Sequence, residues 1–143
     1  MNKEINTLRG TELFMSPALY SGLKNEQNDV SHDPYKSDVF SLGFCFLYAA
    51  SLNFNLLYQV REINNSKRMN DILQQQLHKK YSNTFMNILS HMIDIDEYKR
   101  FDFSQLINFI EENYDEKGNL KNSQNDKDKK NETFNKFKDR KNK

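Results

Sequence analysis

The sequence predicts an all-α domain of four or five helices followed by a disordered tail. Apolar residues recur at helical spacing between residues 37 and 114, and both prolines, Pro17 and Pro34, precede that region. No segment alternates apolar and polar residues with a period of two, as a half-buried strand would. From residue 115 onward the chain is rich in Lys, Asp and Asn, and its large apolar residues, Leu120, Phe134 and Phe137, are too few to offset the entropy of ordering.

The chain divides into three regions by composition. Its 143 residues leave room for one domain, and a hydrophobic content of 36% could supply one modest core. Residues 1–36 precede the helical region and include a polar stretch, residues 24–36, that is typical of a long surface loop. Residues 37–114 form the predicted helical domain, and residues 115–143 form the predicted tail.

The first predicted helix covers residues 37 to about 57. Ser37 supplies a capping side chain, and Asp38 places an acid in the first turn. Apolar residues surround this helix instead of forming one stripe, so it should lie at the centre of its domain. Cys45, which lies between Phe44 and Phe46, is therefore expected to be buried as a small hydrophobic residue.

Further helices follow, each with apolar residues at helical spacing. These residues are Leu56, Leu57, Val60 and Ile63; Met69, Ile72, Leu73 and Leu77; Phe85, Ile88, Leu89, Met92 and Ile93; and Phe103, Leu106, Ile107, Ile110 and Tyr114. Asp102 and Gln105, three residues apart, form a capping-box pattern that opens the last helix.

Charge and hydropathy give no support to binding of nucleic acid or membranes. The formal net charge is only +1, and the basic end of the tail is interrupted by Asp139 and lacks an ordered aromatic platform. The longest apolar run, residues 39–50, is too short to cross a bilayer, and the first six residues contain no apolar stretch for secretion. An intracellular location is expected.

Metal binding and cysteine chemistry also lack support in the sequence. His32, His78 and His91 lie far apart and share no ligand spacing with an acid or with the single cysteine. One cysteine cannot form an internal disulfide, which also favours an intracellular chain. The sequence predicts no metal site.

Three short motifs in a fixed order go beyond the general helical pattern. Residues 10–17, GTELFMSP, resemble the G-T-x-x-[YF]-M-[AS]-P-E end of a protein-kinase activation segment. Residues 37–43, SDVFSLG, resemble the S-D-V-[WF]-S-L-G start of the central helix of the large lobe, and residues 96–100, DEYKR, are similar to the D-P-x-x-R before its last helix. Residues 8–114 thus resemble the helical part of a eukaryotic protein-kinase C-lobe, closest to the Ser/Thr type.

The resemblance implies a surface that faces a protein substrate. In such kinases, the loop that ends the activation segment receives the substrate residue next to the phosphoacceptor. Its counterparts here would be Gly10, Thr11, Phe14 and Met15. Thr7 falls where activation-loop phosphorylation often occurs in the family, which makes it a candidate phosphorylation site.

The resemblance also implies structural anchors at Pro17, Asp38, Gly43 and Arg100. Asp38 would hold the backbone of the catalytic loop, and Arg100 would pair with the glutamate of A-P-E. Ala18 occupies the position of that glutamate. We therefore expect Arg100 either to turn to solvent or to pair with an acid of its own turn.

Asp96 is the nearest acid for such a pair. Two further positions depart from the family, because Glu97 and Phe101 stand where prolines are common.

The residues that perform phosphoryl transfer are missing from this sequence: it contains no Gly-rich loop, no strand lysine, no H-R-D with its asparagine and no D-F-G. ATP and Mg²⁺ belong to a complete family domain, and no residue of this chain is predicted to be catalytic or to bind a cofactor.

Two classes of function follow. The first is a partial protein-kinase domain, inactive as an isolated chain, whose partners are a protein substrate and the missing N-terminal kinase portion. The second is a kinase-derived, pseudokinase-like helical module that binds a protein and performs no chemistry.

Overall fold

The computed structural model describes residues 4–7 and 11–121. The described part is mostly helical, which confirms the all-α class at this coarse level. Its helices are α1 (Pro17–Lys24), α2 (Pro34–Ser51), α3 (Phe54–Arg61), α4 (Ser66–Leu77), α5 (Asn83–Met92) and α6 (Phe103–Asn113), with a short 3-10 turn at Glu12–Phe14. The chain forms two compact units, Met1–Leu106 and Ile107–Lys143.

The structure contains a short antiparallel pair of strands that the sequence does not predict. Strand β1 (Glu4–Thr7) pairs antiparallel with β2 (Asp29–His32), with Glu4 opposite His32. The prediction that residues 24–36 form a surface loop is therefore wrong in part, because that stretch contains β2 and the first turn of α2. Four-residue strands are too short to establish a period-two pattern, and Val30 and His32 are the buried positions of β2.

Helix α2 begins earlier than predicted. Asp33, and not Ser37, is its N-cap: the Asp33 carboxylate accepts a hydrogen bond from the backbone N–H of Lys36 at 3.1 Å. Pro34 occupies the first helical position, where its missing N–H costs nothing. Ser37 is consequently inside the helix and buried.

The predicted helix over residues 37–57 is two helices. α2 ends at Ser51, and its C-cap residue, Leu52, adopts the left-handed conformation with φ of 50°. Asn53 then caps α3, because its side chain accepts hydrogen bonds from the backbone N–H groups of Asn55 and Leu56. No glycine or proline marks this break, and Asn53 is its only signal in the sequence, a weaker one.

The later helices agree better with the sequence. Asn65 caps α4, and Ser82 caps α5. The capping box before α6 is confirmed: Gln105 N–H donates to the Asp102 carboxylate at 2.8 Å, and Asp102 N–H donates to Gln105 Oε1 at 3.0 Å.

The core of the first unit lies along one side of α2. Val39, Phe44 and Leu47 are fully buried there, and they are joined by buried residues of the following helices: Leu57, Met69, Leu73, Leu77, Leu89, Met92 and Ile93. The opposite side of α2 is exposed, with Leu42, Cys45, Phe46 and Ala49 reaching solvent. The expectation that α2 lies at the centre of its domain is therefore wrong for the part of the chain that the structure describes.

Gly43 sets the closest approach on the buried side of α2. A Cβ atom at this position would lie 2.5 Å from Ile93 Cγ2 and 3.0 Å from Met92 Cβ. Only glycine lets the helix backbone approach the end of α5 this closely.

The described part of the second unit ends in a hydrogen-bonded turn. The Asp115 carboxylate accepts hydrogen bonds from the N–H groups of Lys117 and Asn119, and Gly118 takes a positive φ of 76°. Tyr114 and Leu120 form an isolated antiparallel bridge across this turn. Residues 122–143, the remainder of the predicted tail, lie outside the described residues.

Candidate functional site

The candidate site lies around the first half of α2, where the segment before α1 is attached. Ser16 and Ser37 are both buried, and their hydroxyl oxygens are 2.8 Å apart. One turn further along, the Ser41 hydroxyl donates to the carbonyl oxygen of Phe14 at 2.8 Å. These two contacts fix the first motif against the second.

A residue that sequence analysis missed holds the same loop from α3. Arg61 Nη2 donates to the carbonyl oxygens of Glu12 at 2.9 Å and Leu13 at 2.6 Å. Arginine is suited to this role because its planar guanidinium can serve several acceptors at once. The only sequence signal was a basic residue at a helix end, which is usually a solvated charge.

The third motif meets the second through Arg100, which is only 1% exposed. Its Nε donates to Asp94 O at 2.8 Å, and its Nη1 and Nη2 donate to Lys36 O and Ile95 O, each at 3.3 Å. The sequence predicts that Arg100 either turns to solvent or pairs with an acid of its own turn, and both alternatives are wrong. The Arg100 side chain is buried and forms no ion pair with Asp94, Asp96 or Glu97. Backbone carbonyls satisfy the guanidinium instead.

Asp96 is occupied elsewhere. One of its carboxylate oxygens accepts the Tyr98 N–H at 3.0 Å, and the other lies 3.7 Å from Lys99 Nζ. Lys36 also contacts the third motif through its buried side chain. Its Nζ donates a hydrogen bond to the carbonyl oxygen of Glu97 at 3.0 Å. The third motif is thus hydrogen-bonded in both directions to Lys36, the residue directly before the second motif.

Aromatic rings complete the surroundings of the two arginines. Phe40 and Phe44 stack with centroids 4.6 Å apart, and Arg100 lies 4.9 Å from the Phe40 ring. Arg61 lies 5.1 Å from the Phe44 ring and 4.5 Å from the Tyr20 ring. Burial lowers the pKa of each arginine to about 10, although neighbouring acids oppose the shift.

The predicted substrate-facing residues are only partly available. Thr11 is exposed and Phe14 is half-buried, but Met15 is 6% exposed and packs in a small apolar cluster with Leu19 and Val30. Gly10 lies outside the described residues.

The remaining predicted positions have mixed environments. Thr7 belongs to β1, and its side chain lies outside the described residues. Pro17 opens α1, and Ala18 packs partly buried against the same apolar cluster as Met15. Asp38 is exposed on the first half of α2, and its carboxylate accepts no hydrogen bond from residues 11–121.

A cavity of about 300 Å³ lies between α1 and α3, next to the attached loop. Its polar wall carries an ion pair: Lys24 Nζ lies 3.6 Å from Glu62 Oε1, which also accepts a hydrogen bond from the Tyr20 hydroxyl at 3.4 Å. Phe40, Val60, Ile63, Met69 and Ile95 supply apolar lining.

Cys45 is exposed, so its predicted burial is wrong.

The His91 ring stacks on the Phe101 ring with centroids 4.3 Å apart, and burial lowers the pKa of His91. Within the part of the chain that the structure describes, no group of three His, Cys, Asp or Glu side chains could hold a metal ion.

None of the helices formed by the described residues is both long and apolar enough to cross a membrane.

The chain matches no protein-family model, no curated protein and no solved structure.

Proposed function

We propose that this chain is the substrate-side helical part of a protein-kinase-like domain of the Ser/Thr type. One observation carries the proposal: the three segments with kinase-like sequence meet at the first half of α2. The Ser16–Ser37 and Ser41–Phe14 contacts join the first two segments, and the contact of Arg100 with the Phe40 ring joins the second to the third. These contacts support the proposal because they bring the three segments together in the folded chain.

In this proposal, the chain contributes binding and not chemistry. The groups that position and neutralise ATP phosphates are absent from the sequence, so phosphoryl transfer would need a complementary polypeptide that supplies them together with ATP and Mg²⁺. Of the four predicted substrate-facing residues, Thr11 and Phe14 have described surface that a protein substrate could contact. The proposed partners are that substrate and the N-terminal kinase portion, in an intracellular setting.

The test is to sequence the transcript upstream of the Met1 codon and to express whatever open frame it encodes. The proposal expects H-R-D and D-F-G motifs in frame, and Mg-ATP-dependent phosphorylation of a protein substrate by the longer product. A stop codon that closes the frame directly before Met1 would overturn the enzymatic part.

A second candidate function is a kinase-derived helical module that binds a protein. The exposed side of α2 favours it, because Leu42 is 37% and Phe46 is 44% exposed on a helix whose other side forms the core. A closed reading frame together with a stable, folded chain would select this alternative.

A further inference from the structure

The cavity between α1 and α3 combines an apolar interior with an unequal set of charges. Its volume of about 300 Å³ is large enough for one aliphatic side chain with adjoining backbone, and its lining includes Val60, Met69 and Ile95. Arg61 and Lys24 also line it, together with Glu62. An apolar group would be held inside, and a polar group would meet these charges.

The charged side chains that line the cavity are two cations, Lys24 and Arg61, and one carboxylate, Glu62. Lys24 and Glu62 compensate each other in their ion pair. Arg61 forms no ion pair with the described residues, and its two hydrogen bonds both use Nη2 and end at neutral carbonyl oxygens. Its Nε is buried and has no acceptor among the described residues. Because Lys24 and Glu62 compensate each other, Arg61 gives the lining a net positive charge, which favours a ligand that brings negative charge.

We propose that this cavity binds a peptide segment in which an aliphatic side chain is followed by an acidic one. The aliphatic side chain fills the apolar interior, and the carboxylate is attracted by Arg61. This proposal goes beyond the kinase-like function and does not rest on it, because it depends only on the residues that line the cavity.

The first experiment titrates the full ¹⁵N-labelled chain with the blocked peptide acetyl-Ala-Leu-Glu-Ala-amide, followed by amide NMR. Two control peptides replace Glu by Gln or Leu by Ala. We expect shifts centred on α1 and α3, with roughly tenfold weaker binding for the Gln peptide, since one charge-assisted contact is lost. Equal affinity for all three peptides, or shifts spread away from the cavity, would overturn the proposal.

The second experiment assigns the carboxylate to Arg61. In Arg61→Gln, the Glu and Gln peptides should bind equally, whereas Lys67→Gln, an exposed lysine outside the cavity, should keep the tenfold difference. Because Arg61 also holds the loop before α1, a second variant leaves it intact: Ser21→Trp fills the cavity from its exposed wall. Undiminished peptide binding by a folded Ser21→Trp protein would contradict the proposed site.

Discussion

Replacing Arg100 by methionine tests the junction between the second and third motifs. Methionine keeps much of the buried length but removes the charge and all donors. The loss comprises one hydrogen bond of 2.8 Å and two of 3.3 Å to carbonyl oxygens, together with the contact with the Phe40 ring. Hydrogen bonds from a charged donor contribute roughly 1.5–3 kcal/mol each, the two long ones less.

Part of this loss is offset because the variant no longer buries a charge. We therefore expect Arg100→Met to lower the free energy of unfolding by about 2–4 kcal/mol, a large fraction of the 5–15 kcal/mol typical of domains. Urea unfolding followed by far-UV circular dichroism measures the change. Arg68→Met is the matched control, since Arg68 is exposed on α4 and its loss should cost less than about 0.5 kcal/mol. Equal effects of the two substitutions would refute the reasoning.

Three further outcomes are expected. The isolated chain should not bind Mg-ATP in calorimetry, because the phosphate-binding groups are absent from its sequence; saturable micromolar binding would contradict this. The exposed side of α2 should bind an apolar dye and promote self-association, and Leu42→Ser with Phe46→Ser should reduce both; an unchanged dye signal would count against that surface. Burial lowers the pKa of His91 despite the opposing charge of Asp94, so the folded state takes up a proton less readily than the unfolded chain. Stability should therefore be full above about pH 6.5 and fall as the pH drops toward the folded pKa, and His91→Gln should weaken this dependence in urea unfolding at several pH values.

The helices could be predicted from the sequence where local signals coincide. The Asp102 and Gln105 capping box and the apolar spacing of α5 and α6 were sufficient because caps and periodicity act over a few residues. The start of α2 was misplaced although its signal was present, since Asp33 followed by Pro34 is itself a helix-start pattern. Two capping candidates four residues apart cannot be ranked without knowing which side of the chain is buried.

The site depended on contacts that no local pattern encodes. Arg61 reaches loop carbonyls that lie 48 and 49 residues away, and Arg100 reaches a carbonyl that is 64 residues away. Carbonyl oxygens occur at every residue, so the sequence cannot indicate which of them will accept. The motifs predicted that Arg100 matters, but they implied a carboxylate partner and therefore the wrong chemistry.

The exposure of Cys45 has a related cause. An apolar helix predicts burial only if other segments cover it, and in the described residues nothing covers this side of α2. The composition of a helix shows that its surface is apolar, but it does not show whether another segment of the chain packs against that surface.

The notch that Gly43 leaves in α2 limits how this domain can move. Ile93 Cγ2 occupies the space that a Cβ atom of residue 43 would need, so the residue that follows α5 packs directly against the backbone of α2. Sliding α5 along α2 in either direction would drive Ile93 toward Val39 or Leu47, the buried neighbours of Gly43 on the same face of the helix, each of which carries a full side chain. Axial translation is therefore blocked at this point, whereas rotation about it is not. Any rearrangement of the helices on ligand or partner binding should pivot around Gly43 and preserve the register between α2 and α5.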